Sequence, residues 1–262
     1  MLTRVISALI LLPIVVGLIW LGSWPFDIAI ALIMSLSVYE FNQLMRQGSH
    51  PRRVPWGFSL ALVIVIGLDV LSPQADLSRL GIALILIASL TWQLSHRQDE
   101  PTINWALAIA AGLYLGIAGA HFILLRQLPN GERWLLLTLT GTWLADSGAY
   151  FIGSRFGRHK MTPTLSPKKS WEGLVGGILF GLALNPIVAA IFGLPLIHGA
   201  ALGLSGATIG VFGDLSVSMI KRQVGAKDSG HLIPGHGGAL DRLDSLLFTV
   251  IVGYYYIIWL AR

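Results

Sequence analysis

The stretch Trp171–Gly193, WEGLVGGILFGLALNPIVAAIFG, carries one charged side chain, Glu172, in 23 residues. About 20 consecutive apolar residues suffice for a helix to cross the hydrocarbon core of a bilayer, so the stretch reads as a membrane span. The same pattern recurs outward in both directions. Spans are expected at Val5–Gly22, Phe26–Leu44, Val54–Ser72, Leu77–Ser95, Ile103–Leu125, Trp134–Gly153, Leu196–Ile220 and Leu240–Leu260. Eight tryptophans, Trp20, Trp24, Trp56, Trp92, Trp105, Trp134, Trp171 and Trp259, fall near these ends, where an amphipathic ring prefers to lie. The expected fold is an all-α polytopic membrane bundle of about nine transmembrane helices.

Composition agrees. Hydrophobic residues make up 54% of the 262, charged residues 12%, and mean hydropathy is +0.71. Soluble domains carry about 25% charged residues, so most of this chain belongs in lipid. Such an apolar mass lacks the basic face that nucleic-acid binding requires. With no cysteine, disulfides and thiolate metal sites are excluded. Arg4 followed by an apolar run resembles a signal peptide, but no small-residue cleavage site follows, and a retained first helix is expected. There is no repeat of the solenoid kind and no low-complexity segment.

Charge placement orients the bundle. With a cytoplasmic N-terminus, 14 of the 18 Lys and Arg residues face the cytoplasm and only Arg79, Arg126, Arg133 and Arg262 lie opposite, as the positive-inside rule demands. The segments Ser154–Ser170 and Lys221–Ala239 then both face the cytoplasm, where nucleotides are. The chain reads as one membrane domain, 1–262, in which helices of 1–130 carry no chemical signal and 140–262 carry the chemistry. Asp69 and Glu40 lie within or near the end of early spans without partners at motif spacing, and are read as structural or interfacial.

The second half differs. Asp146, Asp214, Asp241 and Asp244 lie at the cytoplasmic ends of three expected helices. Asp241 and Asp244 are three apart, Asp214 and Ser218 four apart, so each pair shares a helix face. Clustered carboxylates in a membrane need cations, and hard oxygen ligands favour Mg²⁺ over zinc. Carboxylates alone also suit a proton or cation pathway. The loops favour an enzyme. Gly225, Gly230, Gly235, Gly237 and Gly238 leave backbone N–H groups free to approach phosphate oxygens. Lys221, Arg222 and Lys227 add charge, and Lys160, Lys168 and Lys169 do so from the other loop. Arg155, Arg158, Arg52 and Arg53 read as topology signals or lipid contacts; His231 and His236 as general acids or loop hydrogen bonders. There is no Walker P-loop.

The run Ser218-Met-Ile-Lys-Arg, Lys227-Asp228-Ser-Gly, Pro234-Gly-His-Gly-Gly, Asp241-Arg-Leu-Asp244 resembles the signature of the phosphatidate cytidylyltransferases, or CDP-diacylglycerol synthases. Asp146-Ser-Gly-Ala-Tyr and Ser166-Pro-Lys-Lys-Ser-Trp-Glu-Gly resemble that family too. Ala239 departs from it, since a larger aliphatic residue is more usual there. The resemblance implies that phosphatidic acid and CTP, with Mg²⁺, give CDP-diacylglycerol and pyrophosphate. It implies Asp214 and Asp241 as first metal ligands, with Asp244 and Asp146 next, and Lys221 and Lys227 in catalysis. Ser218, Arg222, Asp228, His236, Gly237, Gly238, Arg242, Lys168 and Lys169 are the implied substrate contacts. A homodimer in a bacterial inner membrane is expected, with its site facing the cytoplasm. The rivals are a secondary transporter or channel, and a cytidylyltransferase for another lipid phosphate.

Overall fold

In the computed structural model, residues 2–48, 51–72, 75–96, 99–230 and 237–261 are described, with side chains omitted at 2–8 and 75. Helices follow the apolar runs: α1 Leu2–Leu21, α2 Ser23–Met45, α3 Trp56–Leu71, α4 Ala75–Ser95, α5 Pro101–Gln127, α6 Gly131–Phe156, α7 Trp171–Ile191 and α8 Leu196–Gln223. A single short turn, α9 Leu240–Leu243, precedes α10 Leu246–Tyr256, which ends in a π-helical turn Ile257–Ala261. Among the described residues, five helices are long and apolar enough to cross a membrane: Ser23–Met45, Asp76–Ser95, Pro101–Gln127, Trp171–Ile191 and Leu196–Gln223. Three shorter apolar helices, Leu9–Leu21, Trp56–Leu71 and Leu246–Ala261, accompany them.

Two expectations are corrected. The segment between α6 and α7 is not all loop: β1 Lys160–Thr162 and β2 Ser166–Ser170 pair antiparallel, so the chain is helical with one small hairpin. The ninth span is also broken. Its apolar helix starts at Leu246, after a turn in which Asp241 is held by Lys221 and the Ser229 and Gly238 N–H groups and Asp244 Oδ1 accepts from Ser245 N.

The core explains how the halves join. Met34, Leu44, Leu115, Leu125, Leu135, Leu137, Leu247 and Ile257 are fully buried, and they come from α2, α5, α6, α10 and the π-helical turn that follows it. Outward-facing Ile87, Leu179, Ile187, Ile191 and Trp259 are exposed, as a lipid-facing surface requires. α6, α7 and α8 pack backbone to backbone. A Cβ on Gly203 would strike the Gly181 carbonyl oxygen, so glycine permits an approach that no side chain allows. Asn185, fully buried, donates to Leu137 O and Gly199 O and accepts from Thr140 Oγ1. That one amide ties the three helices together near the start of α8. It also keeps a polar group satisfied where no water competes.

Candidate active site

The last turns of α8 set the site. Asp214, Ser218 and Lys221 recur at four- and three-residue spacing, so they line one face, and Ser218 Oγ donates to Asp214 Oδ1 at 3.1 Å. The hairpin brings a second cation to that face. Lys169 Nζ, on β2, lies 2.7 Å from Asp214 Oδ2. The hairpin is itself pinned: Ser170 Oγ caps α7 by accepting from Gly173 N, and the Glu172 carboxylate accepts from the Arg158 and His159 N–H groups. Lys169 is thus held over α8 by the residues that start α7.

The Lys221 side chain is 9% exposed and its Nζ is 2.6 Å from Asp241 Oδ1. Asp241 Oδ2 accepts from Ser229 N at 2.7 Å, Ser229 Oγ at 2.9 Å and Gly238 N at 3.1 Å. Burial raises the Asp241 carboxyl, but Lys221 and these N–H donors outweigh it, and the group sits below its usual value. Behind this cluster stands Glu40, 5% exposed on α2. Its Oε1 accepts from Ala239 N at 2.8 Å, and its Oε2 from Leu240 N at 2.9 Å and Ser229 Oγ at 3.0 Å. The single Ser229 hydroxyl proton serves Glu40 or Asp241, one at a time. Gly237 holds φ +81° and a Cβ on Gly238 would strike Glu40 Oε2, which is why two glycines precede Asp241.

Asp146, Asp214 and Asp244 form a third group. Asp214 bears electrostatically on both Asp146 and Asp244, Asp146 on Asp244, and Lys169 on Asp146. Asp244 precedes the apolar part of α10. Its burial, and then the charge of Asp214, push its carboxyl well above the usual range. Excess negative charge of this sort is what a cation would relieve, and the donors are the hard oxygens that Mg²⁺ takes. Asp241 belongs to the same region, with Oδ1 already shared with Lys221. Among the described residues no three carboxylates or imidazoles converge at metal-ligand distance. A hydrated Mg²⁺ using one or two of them is the form that fits.

Other candidates are distributed differently. Arg222 Nε donates to Leu165 O and Nη1 to Ala226 O, so it clamps the hairpin to the loop. Lys168, Lys227, Asp228 and Arg242 are exposed at the same face with no ion pair among the described residues. His231 and His236 lie outside the described residues. Glu40 and Ser229 are the site members that sequence spacing missed. An intramembrane carboxylate was the available signal for Glu40, but its partners lie 189 to 200 residues away.

Residues 2–260 match the model of the cytidylyltransferase family. The chain belongs to that family. The phosphatidate cytidylyltransferase of Pseudomonas aeruginosa is 36% identical over 98% of this chain and 97% of its own length. Those of Bacillus subtilis and Haemophilus influenzae are 32% and 33% identical, over 97% of this chain and 95% and 97% of theirs. The family resemblance read from the Ser218–Asp244 run is therefore borne out, and this cytidylyltransferase is a nucleotidyltransferase embedded among apolar helices. Its paired lysines and unneutralised carboxylates suit a reaction among phosphates, in which charge is positioned rather than protons moved.

Proposed function

We infer that the chain is a CTP:phosphatidate cytidylyltransferase, converting phosphatidic acid and CTP to CDP-diacylglycerol and pyrophosphate. The observation that carries this reading is near full-length similarity, at 32–36% identity, to relatives bearing that name. In the reaction a lipid phosphate oxygen attacks the α-phosphorus of CTP, a new P–O bond forms, and the bond to the β-phosphate breaks to release pyrophosphate. The attacking phosphate is largely ionised near neutral pH, since its second pKa is about 6, so no strong base is required. Lys168, Lys227 and Arg242, exposed and without an ion pair among the described residues, bind and orient the phosphates. Lys221 and Lys169 hold Asp241 and Asp214 in place. Asp214, Asp244 and Asp146, with Asp241 beside them, are the residues that would hold Mg²⁺. When bound, the ion would offset the negative charge of the triphosphate.

The topology belongs to the same proposal: nine crossings, a cytoplasmic N-terminus and a site open to cytoplasmic CTP in a bacterial inner membrane. The 14-to-4 division of Lys and Arg supports it. A homodimer is the assembly we favour, since two-fold symmetry is the commonest in oligomers. Assaying purified protein with several lipid phosphates and CTP tests the substrate. Phosphatidic acid is expected to turn over fastest, and preference for an isoprenoid phosphate would overturn the assignment.

A further inference from the structure

A cavity lies away from the catalytic carboxylates and is lined by none of them. It occupies about 1380 Å³ between the end of α2, α3, α4 and the start of α5. Its mouth carries Arg46, Arg52 and Arg53, with Trp56 at the edge. Deeper lie Phe58 and Ala61 of α3, and Leu84, Ile85, Ala88 and Trp92 of α4. The α4 residues share one helical face. Phe58 and Trp92 meet edge to face, with ring centroids 6.2 Å apart. Below them α3 and α4 close together, where a Cβ on Gly81 would come 3.1 Å from Val65. From Trp92 to Gly81 is eleven residues of helix, about 16 Å at 1.5 Å per residue. The cavity is therefore amphipathic in depth: cationic at one end, apolar below, and shut at the floor.

The charges at the mouth are unequal. Glu100 is taken by Arg52, whose Nη1 lies 2.6 Å from it. Asp99, on the α4–α5 connection, is the other acid in the lining. Arg46 and Arg53, on the α2–α3 connection, have no hydrogen bond or ion pair from their side chains among the described residues. Two uncommitted guanidiniums above an apolar slot suit a phosphate joined to an acyl chain. A nucleotide suits the slot poorly, because its floor offers hydrocarbon where a sugar and base need hydrogen-bond partners.

We propose that this cavity binds an anionic glycerophospholipid, its phosphate between Arg46 and Arg53 and an acyl chain along Phe58, Leu84 and Trp92. The site is additional to the catalytic one and does not depend on the cytidylyl-transfer reading. Arg46 follows Glu40 by six residues, about 9 Å along α2, and a Cβ on Gly48 would come 3.0 Å from Val224 O at the end of α8. Bound lipid therefore braces the helix end that carries Glu40 to the catalytic loop.

The test uses delipidated full-length protein in detergent, titrated with phosphatidylglycerol and followed by native mass spectrometry and thermal unfolding. Phosphatidylglycerol has no terminal phosphate to act as a cytidylyl acceptor. One lipid per chain should bind and raise the melting temperature. R46A/R53A should bind about tenfold more weakly or worse, a change of ~1.4 kcal/mol, and lose the thermal shift. R155A/R158A, which removes as much charge from exposed arginines elsewhere, should behave as wild type. Ala88→Trp, which fills the slot and keeps both arginines, should also weaken binding. Unchanged affinity in R46A/R53A, or equal loss in both double variants, overturns the proposal. So does glycerol 1-phosphate or phosphatidylethanolamine binding as tightly as phosphatidylglycerol.

Discussion

Glu40 is a carboxylate whose chemistry is spent on another part of the chain. It accepts two backbone N–H groups and a hydroxyl from the loop that carries Asp241. In Glu40→Gln an amide NH₂ would face one of those N–H donors. An unsatisfied buried donor costs about 1–3 kcal/mol, so turnover should fall about tenfold or more, with helix content by circular dichroism retained. Wild-type turnover would mean that the loop does not depend on α2. The two adjacent lysines should separate by kinetics. Lys168 is exposed and has no ion pair among the described residues, so Lys168→Met should chiefly raise KM for CTP. Lys169 is committed to Asp214 at 2.7 Å, so Lys169→Met should chiefly lower kcat. The reverse pattern would exchange their roles. At this scale the sequence was readable where partners are close along the chain, as in Ser218 with Asp214. It was unreadable for Glu40, because nothing in local spacing reveals a partner some 190 residues distant.

Among the elements, apolar length was enough to find the helices, and polar partners decide where they stop. The expected ninth span stops short at Leu246 because Asp241 is tied to Lys221 and the loop. The hairpin is not legible in the sequence, since three- and five-residue strands leave almost no alternation to read. Glycines let α7 and α8 touch at Gly181 and Gly203, a contact that no local spacing in the sequence marks. Gly203→Val should force the helices apart and cost ~1–3 kcal/mol, as overpacking does. A lowered thermal midpoint in detergent is the expected result; an unchanged midpoint would contradict the close approach.

For the whole molecule, the absence of cysteine allows a clean test of orientation. A cysteine introduced at Gln127, exposed at the last residue of α5, should react with an impermeant maleimide in intact cells. One at Thr164, exposed in the hairpin turn, should react only after lysis. The opposite result would invert the topology and remove the site from cytoplasmic CTP. We assign cytidylyl transfer from CTP to phosphatidic acid to the acidic and basic groups that α6, α8 and α9 bring together. Its most direct test is pyrophosphate release by purified protein given CTP, phosphatidic acid and Mg²⁺, with Asp241→Asn beside it. Wild type should release pyrophosphate in step with CDP-diacylglycerol, lose the activity in EDTA, and show almost none in the folded variant. No release from wild type, or full release from Asp241→Asn, would contradict the account.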